Sequence, residues 1–332
     1  MRVDASDESN GAGSPTAATG RMIRLVLNLA AANDDRLRDT VDRLRHSNRV
    51  DVRVAWDPPD AVLFAREAAE AGYDVVAAGG GDGTINAVMS GLLSGPVSAA
   101  APLLGILPFG TANDLATACG LDPEDPVPAL ELLAGGEPSQ IDVGRMNGVP
   151  FLNVASGGHA AEVTTETDPD LKRLLGGLAY WLTGISSLAR IEPRPIRVAA
   201  DGFEWSGRVY AVAVCNGRQA GGGLRLAPRA LLDDGLLDVA IVPEVPWTEF
   251  LKVFSDLKQL DQEGESRPEH IVSCQAAQVL IEAPEGLQMN LDGEPIRGNR
   301  FEFTVDPLRL GCLLPEACAP LNRSMREIVQ KT

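Results

Sequence analysis

Four stretches of this chain gather residue types suited to phosphate, divalent metal or a transferable proton. Gly79-Gly80-Gly81-Asp82-Gly83-Thr84 lies between an apolar run at 73–78 and a helical pattern at 85–93. Glycines let a backbone turn tightly and approach a ligand, and the amides at a helix start favour an anion. No Gly-Lys-Ser/Thr follows, so this is not a Walker A loop; Thr84 excludes Gly-x-Gly-x-x-Gly. A plain strand-to-helix turn without a ligand suits the same residues. Leu107-Pro108-Phe109-Gly110-Thr111-Ala112-Asn113-Asp114 is a second strand-to-helix junction. Thr111 and Asn113 offer polar groups to a phosphate or ribose, and Asp114 suits a helix cap, with simple capping as the alternative.

The other two stretches lie further along. Asn216-Gly217-Arg218-Gln219-Ala220-Gly221-Gly222-Gly223 is a glycine loop whose Arg218 is in a position to meet a phosphate. The following segment, 228–238, contains Asp234-Gly235, a turn able to offer Mg²⁺ one carboxylate and neighbouring carbonyls, or else an ordinary hairpin. Asn290-Leu291-Asp292-Gly293-Glu294-Pro295 sets two carboxylates one residue apart. Phosphoryl transfer to a hydroxyl needs a carboxylate that accepts the hydroxyl proton; a surface turn is the alternative reading.

These stretches need elements to hold them. Residues 22–28, 50–56, 73–78 and 103–107 read as strands, alternating with helical patterns at 34–46, 61–71, 85–93 and from 114. That βα alternation predicts an α/β unit with an open parallel sheet, whose ligands bind at the carboxyl ends of the strands. Both glycine junctions leave that edge, so together they favour a nucleotide site. Beyond about residue 142 the segments 150–155, 196–200, 208–215, 237–242, 277–282 and 300–305 are short and β-branched. They predict a mostly antiparallel, all-β second domain, a β-sandwich. A helical insert is expected between 170 and 189. His159 reads as a surface histidine near the expected cleft, and the apolar helix around Tyr180-Trp181-Leu182 as a core helix.

Composition narrows the function classes. The 332 residues suit two domains, and the net charge of −17 argues against broad binding to nucleic acid or an anionic bilayer. Any membrane contact is then expected to be local and transient. No apolar run is long enough to span a bilayer. The polar, acidic opening residues 1–20 read as a disordered tail rather than a signal peptide. Five scattered cysteines without a Cys-x-x-Cys pair suit buried thiols in a reducing cytoplasm.

In order, GGGDGTINAV, LGILPFGTANDLA, NGRQAGGG, PRALLDDGLLD and NLDGEP resemble the bacterial diacylglycerol kinase catalytic-domain family, most closely its YegS-like lipid kinases. TTETD near 166 and the closing CLLPEACAPL fit that group as well. The resemblance covers residue 22 to the C-terminus. It implies an α/β ATP-binding domain (21–142), a β-sandwich lipid and metal domain (143–308), a chain end (309–332) that returns to the first domain, and a catalytic cleft between the two. It also implies transfer of the γ-phosphate of ATP to a lipid hydroxyl, of phosphatidylglycerol or diacylglycerol type, in a cytoplasmic protein touching the inner face of the membrane.

By the same resemblance Gly81, Asp82, Gly83, Thr84, Ile85, Asn86 and Ala87 form the ATP phosphate segment, joined by Thr111. Leu231 and Leu236 (backbone carbonyls) and Asp234 (carboxylate) would hold Mg²⁺, and Glu294 would be the general base. Three positions depart from the family pattern: Ala87 replaces a frequent Glu, Ala55 a Thr near the second strand, and Asn28-Leu29-Ala30 an Asn-Pro turn. They imply weaker or re-tuned ATP binding. The competing readings are a kinase of a soluble substrate, like an NAD kinase, and a nucleotide-binding pseudokinase that regulates rather than transfers.

Overall fold

The computed structural model describes residues 20–95, 101–158, 192–246, 249, 270–292 and 294–322. The expected insert at 170–189, His159 and TTETD lie outside these residues, as do Gly293 and all but the last residue of the 1–20 segment. Among the described residues no helix is long and apolar enough to cross a membrane.

The first half alternates strand and helix: β1 (Met22–Leu27), α1 (Leu29–Ala32), α2 (Asp35–Arg45), β2 (Arg49–Val54), α3 (Pro58–Glu70), β3 (Val75–Gly80), α4 (Asp82–Leu93), β4 (Leu103–Pro108), α5 (Asp114–Ala118) and α6 (Val127–Gly135). β4, β3, β1 and β2 lie side by side in that order, all parallel. β3 is buried at every position, as expected for a strand covered on both faces. Helix α2 turns Leu37, Val41 and Leu44 to the core, and Asp34 caps its start. Asp57 caps α3, whose proline occupies a position where no backbone donor is lost.

The second half is built from β5 (Pro138–Met146), β6 (Val149–Phe151), β7 (Val154–Gly158), β8 (Arg194–Ala200), β9 (Phe203–Cys215), β10 (Gln219–Ala220), β11 (Leu224–Arg225), β12 (Leu237–Pro243), β13 (Val272–Ala276), β14 (Gln278–Leu291) and β15 (Glu294–Leu313). It forms the β-sandwich, with β9 and β14 each pairing two sets of neighbours along their lengths. Phe151 and Phe303 meet edge to face in its core, ring centres 6.4 Å apart.

The two halves share strands. β15 runs antiparallel to β14 and β5 and then meets β4 in parallel at Cys312 and Leu104. Its Phe301 and Phe303 lie in the sandwich core, whereas Leu310, Cys312 and Leu313 lie in the α/β core. One continuous hydrogen-bonded sheet therefore runs from β13 to β2.

Candidate active site

The two glycine junctions of the α/β unit touch directly. Gly81 and Gly110 pack backbone to backbone, and a side chain at Gly110 would collide with the Cα and amide nitrogen of Gly81. Gly81 precedes α4 and no side chain caps that helix; its carbonyl accepts from Thr84 and Ile85 N–H. The Asp82 carboxylate instead reaches across to α5 and accepts from the backbone N–H of Asp114 and Leu115, both at 3.0 Å. Asp82 thus supplies the cap that the sequence assigns to Asp114.

Asp114, 3% exposed, has a different task. Its carboxylate accepts from the N–H of Gly222 (2.9 Å) and Gly223 (2.7 Å), in the glycine loop of the sandwich. Gly221, Gly222 and Gly223 all have positive φ, so the turn between β10 and β11 depends on residues without a Cβ. Burial, and then the charge of Asp82, raise the Asp114 pKa against the pull of those two amides.

The fourth stretch joins on the other side. Asp292, with φ 45°, is partly exposed, and its carboxylate, turned inward, accepts from Leu152 N–H and Val154 N–H, each at 3.0 Å. Burial pushes its carboxyl up to about 6, and the charge of Asp82 adds to the rise. Glu294 follows as the exposed first residue of β15, opposite Leu291.

The Asp234 turn connects through Asp142 and Asn216. Asp142, fully buried on β5, accepts from Gly235 N–H and Leu308 N–H, both at 2.7 Å. Asn216 donates to the carbonyls of Asp142 and Leu152. A hydrogen-bonded series therefore links the Asp234 turn, Asp142, Asn216, the 152–154 turn and Asp292, with Asp82, Asp114 and the Gly222 loop gathered beside it.

Residues 23–146 match the model described as "Diacylglycerol kinase catalytic domain", and residues 153–314 match "YegS C-terminal NAD kinase beta sandwich-like domain". A "Probable lipid kinase YegS-like" from Stenotrophomonas maltophilia is 41% identical over 307 residues, covering 90% of this chain and 98% of its own. The chain belongs to the YegS-like lipid kinase family. A "Probable lipid kinase YegS" from Salmonella arizonae is 39% identical over 301 residues, covering 90% and 97%. A solved diacylglycerol kinase from Bacillus anthracis str. Sterne has the same fold, with a TM-score of 0.70 at 21% identity over 91% of this chain and 99% of that one.

Within this YegS-like kinase the residues named from sequence divide by environment. Gly83 is exposed with open space where a Cβ would stand, and Thr111 is exposed on the adjoining loop. Thr84 is partly exposed, its hydroxyl 3.5 Å from the Asn28 amide. Ile85 and Ala87 turn their side chains into the α/β core, so only their backbone is left for a ligand. The Asn86 side-chain oxygen is buried without a partner among the described residues.

Two expectations are corrected. Asn113 does not offer its amide to a ligand: its oxygen accepts from Gly110 N–H and its nitrogen donates to Gly110 O, both at 2.8 Å, which closes the loop on itself. Arg218 is engaged within the protein itself. Its guanidinium donates to Ala230 O (2.9 Å) and Ala319 O (2.8 Å), fastening the chain end.

Sequence reasoning missed Asp142 altogether, because β5 was not recognised as a strand. The local pattern gave no warning: between Ile141 and Val143 the alternation expects a polar, outward residue, and the burial of Asp142 comes from the segments packed over that face.

Leu231, Asp234 and Leu236 are all partly exposed, and the Asp234 carboxylate accepts from Leu236 N–H at 3.0 Å. Burial, followed by the Asp233 charge, raises its pKa, and Asp142 is raised by burial and by Asp234 and Asp233. Negative charge accumulated in this way fits a hard cation held by one carboxylate and carbonyl oxygens. Among the described residues no group of three His, Cys, Asp or Glu forms a metal cage.

Proposed function

We propose that this chain transfers the γ-phosphate of ATP to the hydroxyl of a membrane lipid, of phosphatidylglycerol or diacylglycerol type. The observation that carries the reading is the Asp82–Asp114–Gly222 contact, which joins both glycine junctions of the α/β unit to the glycine loop of the sandwich, with the Asp292 carboxyl close enough to feel the Asp82 charge. The names borne by its relatives support a lipid as the acceptor.

The exposed start of α4 at Asp82 and Gly83 receives the phosphates, with Thr84 and Thr111 beside it. Glu294 accepts the proton of the lipid hydroxyl, whose oxygen attacks the γ-phosphorus as the bond to the β-phosphate oxygen breaks, releasing ADP. Leu231, Asp234 and Leu236 would hold Mg²⁺, which when bound neutralises charge on the transferred phosphoryl group. The strongly negative chain meets the inner face of the membrane locally and transiently rather than through a basic face.

The test is transfer from γ-labelled ATP, with Mg²⁺, into a panel of lipids in mixed micelles. Wild type is expected to label a lipid, whereas Glu294→Ala loses at least a hundredfold in rate while still binding ATP. Full activity in that variant removes Glu294 as the base. Labelling of a soluble acceptor alone, indifferent to micelles, removes the lipid reading.

A further inference from the structure

Trp56 is the most exposed large apolar side chain among the described residues, at 76%, and nothing in the site described above uses it. It stands just beyond the carboxyl end of β2, on the same sheet edge as the glycine junctions. The ladder carries these strand ends to one level: Ala55 N–H donates to Leu27 O at 2.8 Å, and Asn28 N–H donates to Gly79 O at 3.0 Å. From the Gly79–Gly83 segment to Trp56 is thus two strand spacings, about 10 Å. That is the reach from the terminal phosphates of an extended nucleoside triphosphate to its base.

The indole is also set on a fixed backbone. Trp56 N–H donates to the Asp60 carboxylate at 3.0 Å, and Asp57 caps α3 directly after it. Leu29 (42% exposed) and Val54 (36% exposed) add apolar surface at the ends of β1 and β2, and Ala55 between them is buried and offers no polar side-chain atom. A flat, wet aromatic on an anchored backbone, flanked by aliphatic groups, suits a planar π-system, and an exposed tryptophan otherwise has little reason to be held in water.

We propose that Trp56 is the stacking platform for the base of the nucleotide, and that it makes the chain favour purine over pyrimidine triphosphates. The inference rests on the ATP-binding reading given above and adds the residue that recognises the base. The triphosphate lies across the ends of β3 and β1, so the phosphates meet the α4 start and the base meets the indole at β2.

The test uses the full chain as wild type, Trp56→Ala and Trp56→Phe, each titrated with MgATP, MgCTP and magnesium tripolyphosphate, with melting temperatures confirming the fold. Trp56→Ala is expected to weaken ATP about five- to a hundredfold, the usual worth of one base–aromatic stack, and leave tripolyphosphate unchanged. Trp56→Phe should retain most of the affinity but lose the quenching of tryptophan fluorescence that ATP produces and tripolyphosphate does not. The ATP-over-CTP preference should collapse in Trp56→Ala. Equal ATP affinity in wild type and Trp56→Ala overturns the platform while the kinase reading stands. Unchanged ATP affinity with reduced binding to phosphatidylglycerol vesicles overturns it in favour of a membrane contact. A wild type that binds neither ATP nor tripolyphosphate overturns the ATP reading itself, and the platform with it.

Discussion

Asp292 shows how a single residue can be pulled two ways. Both of its oxygens accept backbone N–H donors, which favours the charged form, but burial outweighs them and carries its pKa up to about 6. The folded-state value lies above the ordinary aspartate value near 3.9. Its contribution to stability is therefore complete below about pH 4 and is lost as pH rises through about 6. Asn cannot titrate, and one amide oxygen replaces two acceptors. Asp292→Asn should cost about 1–3 kcal/mol and remove that descending limb from a plot of stability against pH. Urea titrations between pH 4 and 7 check this; an unaltered slope in the variant would assign the limb to another group. Asp238, also raised to about 6 chiefly by burial, is the first such group to replace in turn.

Among the elements, the start of α4 is the one whose glycines do different things. Gly110 is needed because its backbone rests on Gly81, whereas a Cβ at Gly83 would meet no protein atom. Gly83→Ala should raise the stability of the free protein by about 0.4–1 kcal/mol, through a less flexible unfolded chain. If the α4 start receives phosphate, the new methyl group should at the same time weaken ATP binding, and calorimetric melts with and without ATP would show the two effects with opposite sign. The α/β elements were legible because parallel strands are apolar runs and their helices carry one apolar stripe. In the sandwich most of the expected strands were fragments of longer ones, whereas 150–155 covers the end of β6, a bend at 152–153 and the start of β7. The outer half of β9, Phe203 to Arg208, does alternate Phe203 and Trp205 on the core side with exposed Glu204 and Ser206, but Gly207 interrupts the pattern before the apolar run. β14 continues through Ala283-Pro284-Glu285-Gly286, which reads as a break but is a register shift between Glu282 and Leu287. β15 likewise passes Asp306-Pro307 by a shift between Asp306 and Leu310. At the site, the motifs were visible as fragments, but their partners were not. Asp82 pairs with amides 32 and 33 residues away and Asp114 with amides more than 100 away, contacts that no local spacing encodes.

At the scale of the molecule, the two cores are separate in composition but not in connection. β5 and β15 pair along their length and place residues in both: Ile141 and Val143 in the α/β core with Met146 in the sandwich, and Leu310 in the first with Phe303 in the second. The chain end adds further ties. Leu232 N–H donates to Pro320 O at 2.7 Å, and both Asp233 oxygens accept from Asn322 N–H. Cys318 lies buried against Cys119 at the end of α5, and their proximity together with burial raises the Cys119 thiol pKa. Two domains joined only by a linker would melt separately, each sensitive to its own core mutations. Strands common to both cores oblige one half to lose its edge partner when the other unfolds. Leu104→Ala in the sheet and Phe303→Ala in the sandwich, expected to cost about 2–5 and 3–5 kcal/mol, should therefore lower the midpoint of one and the same unfolding transition. Differential scanning calorimetry of the two variants decides the matter. A shift of only half the heat absorption, with the other half left at the wild-type temperature, would mean that β5 and β15 do not transmit unfolding between the cores.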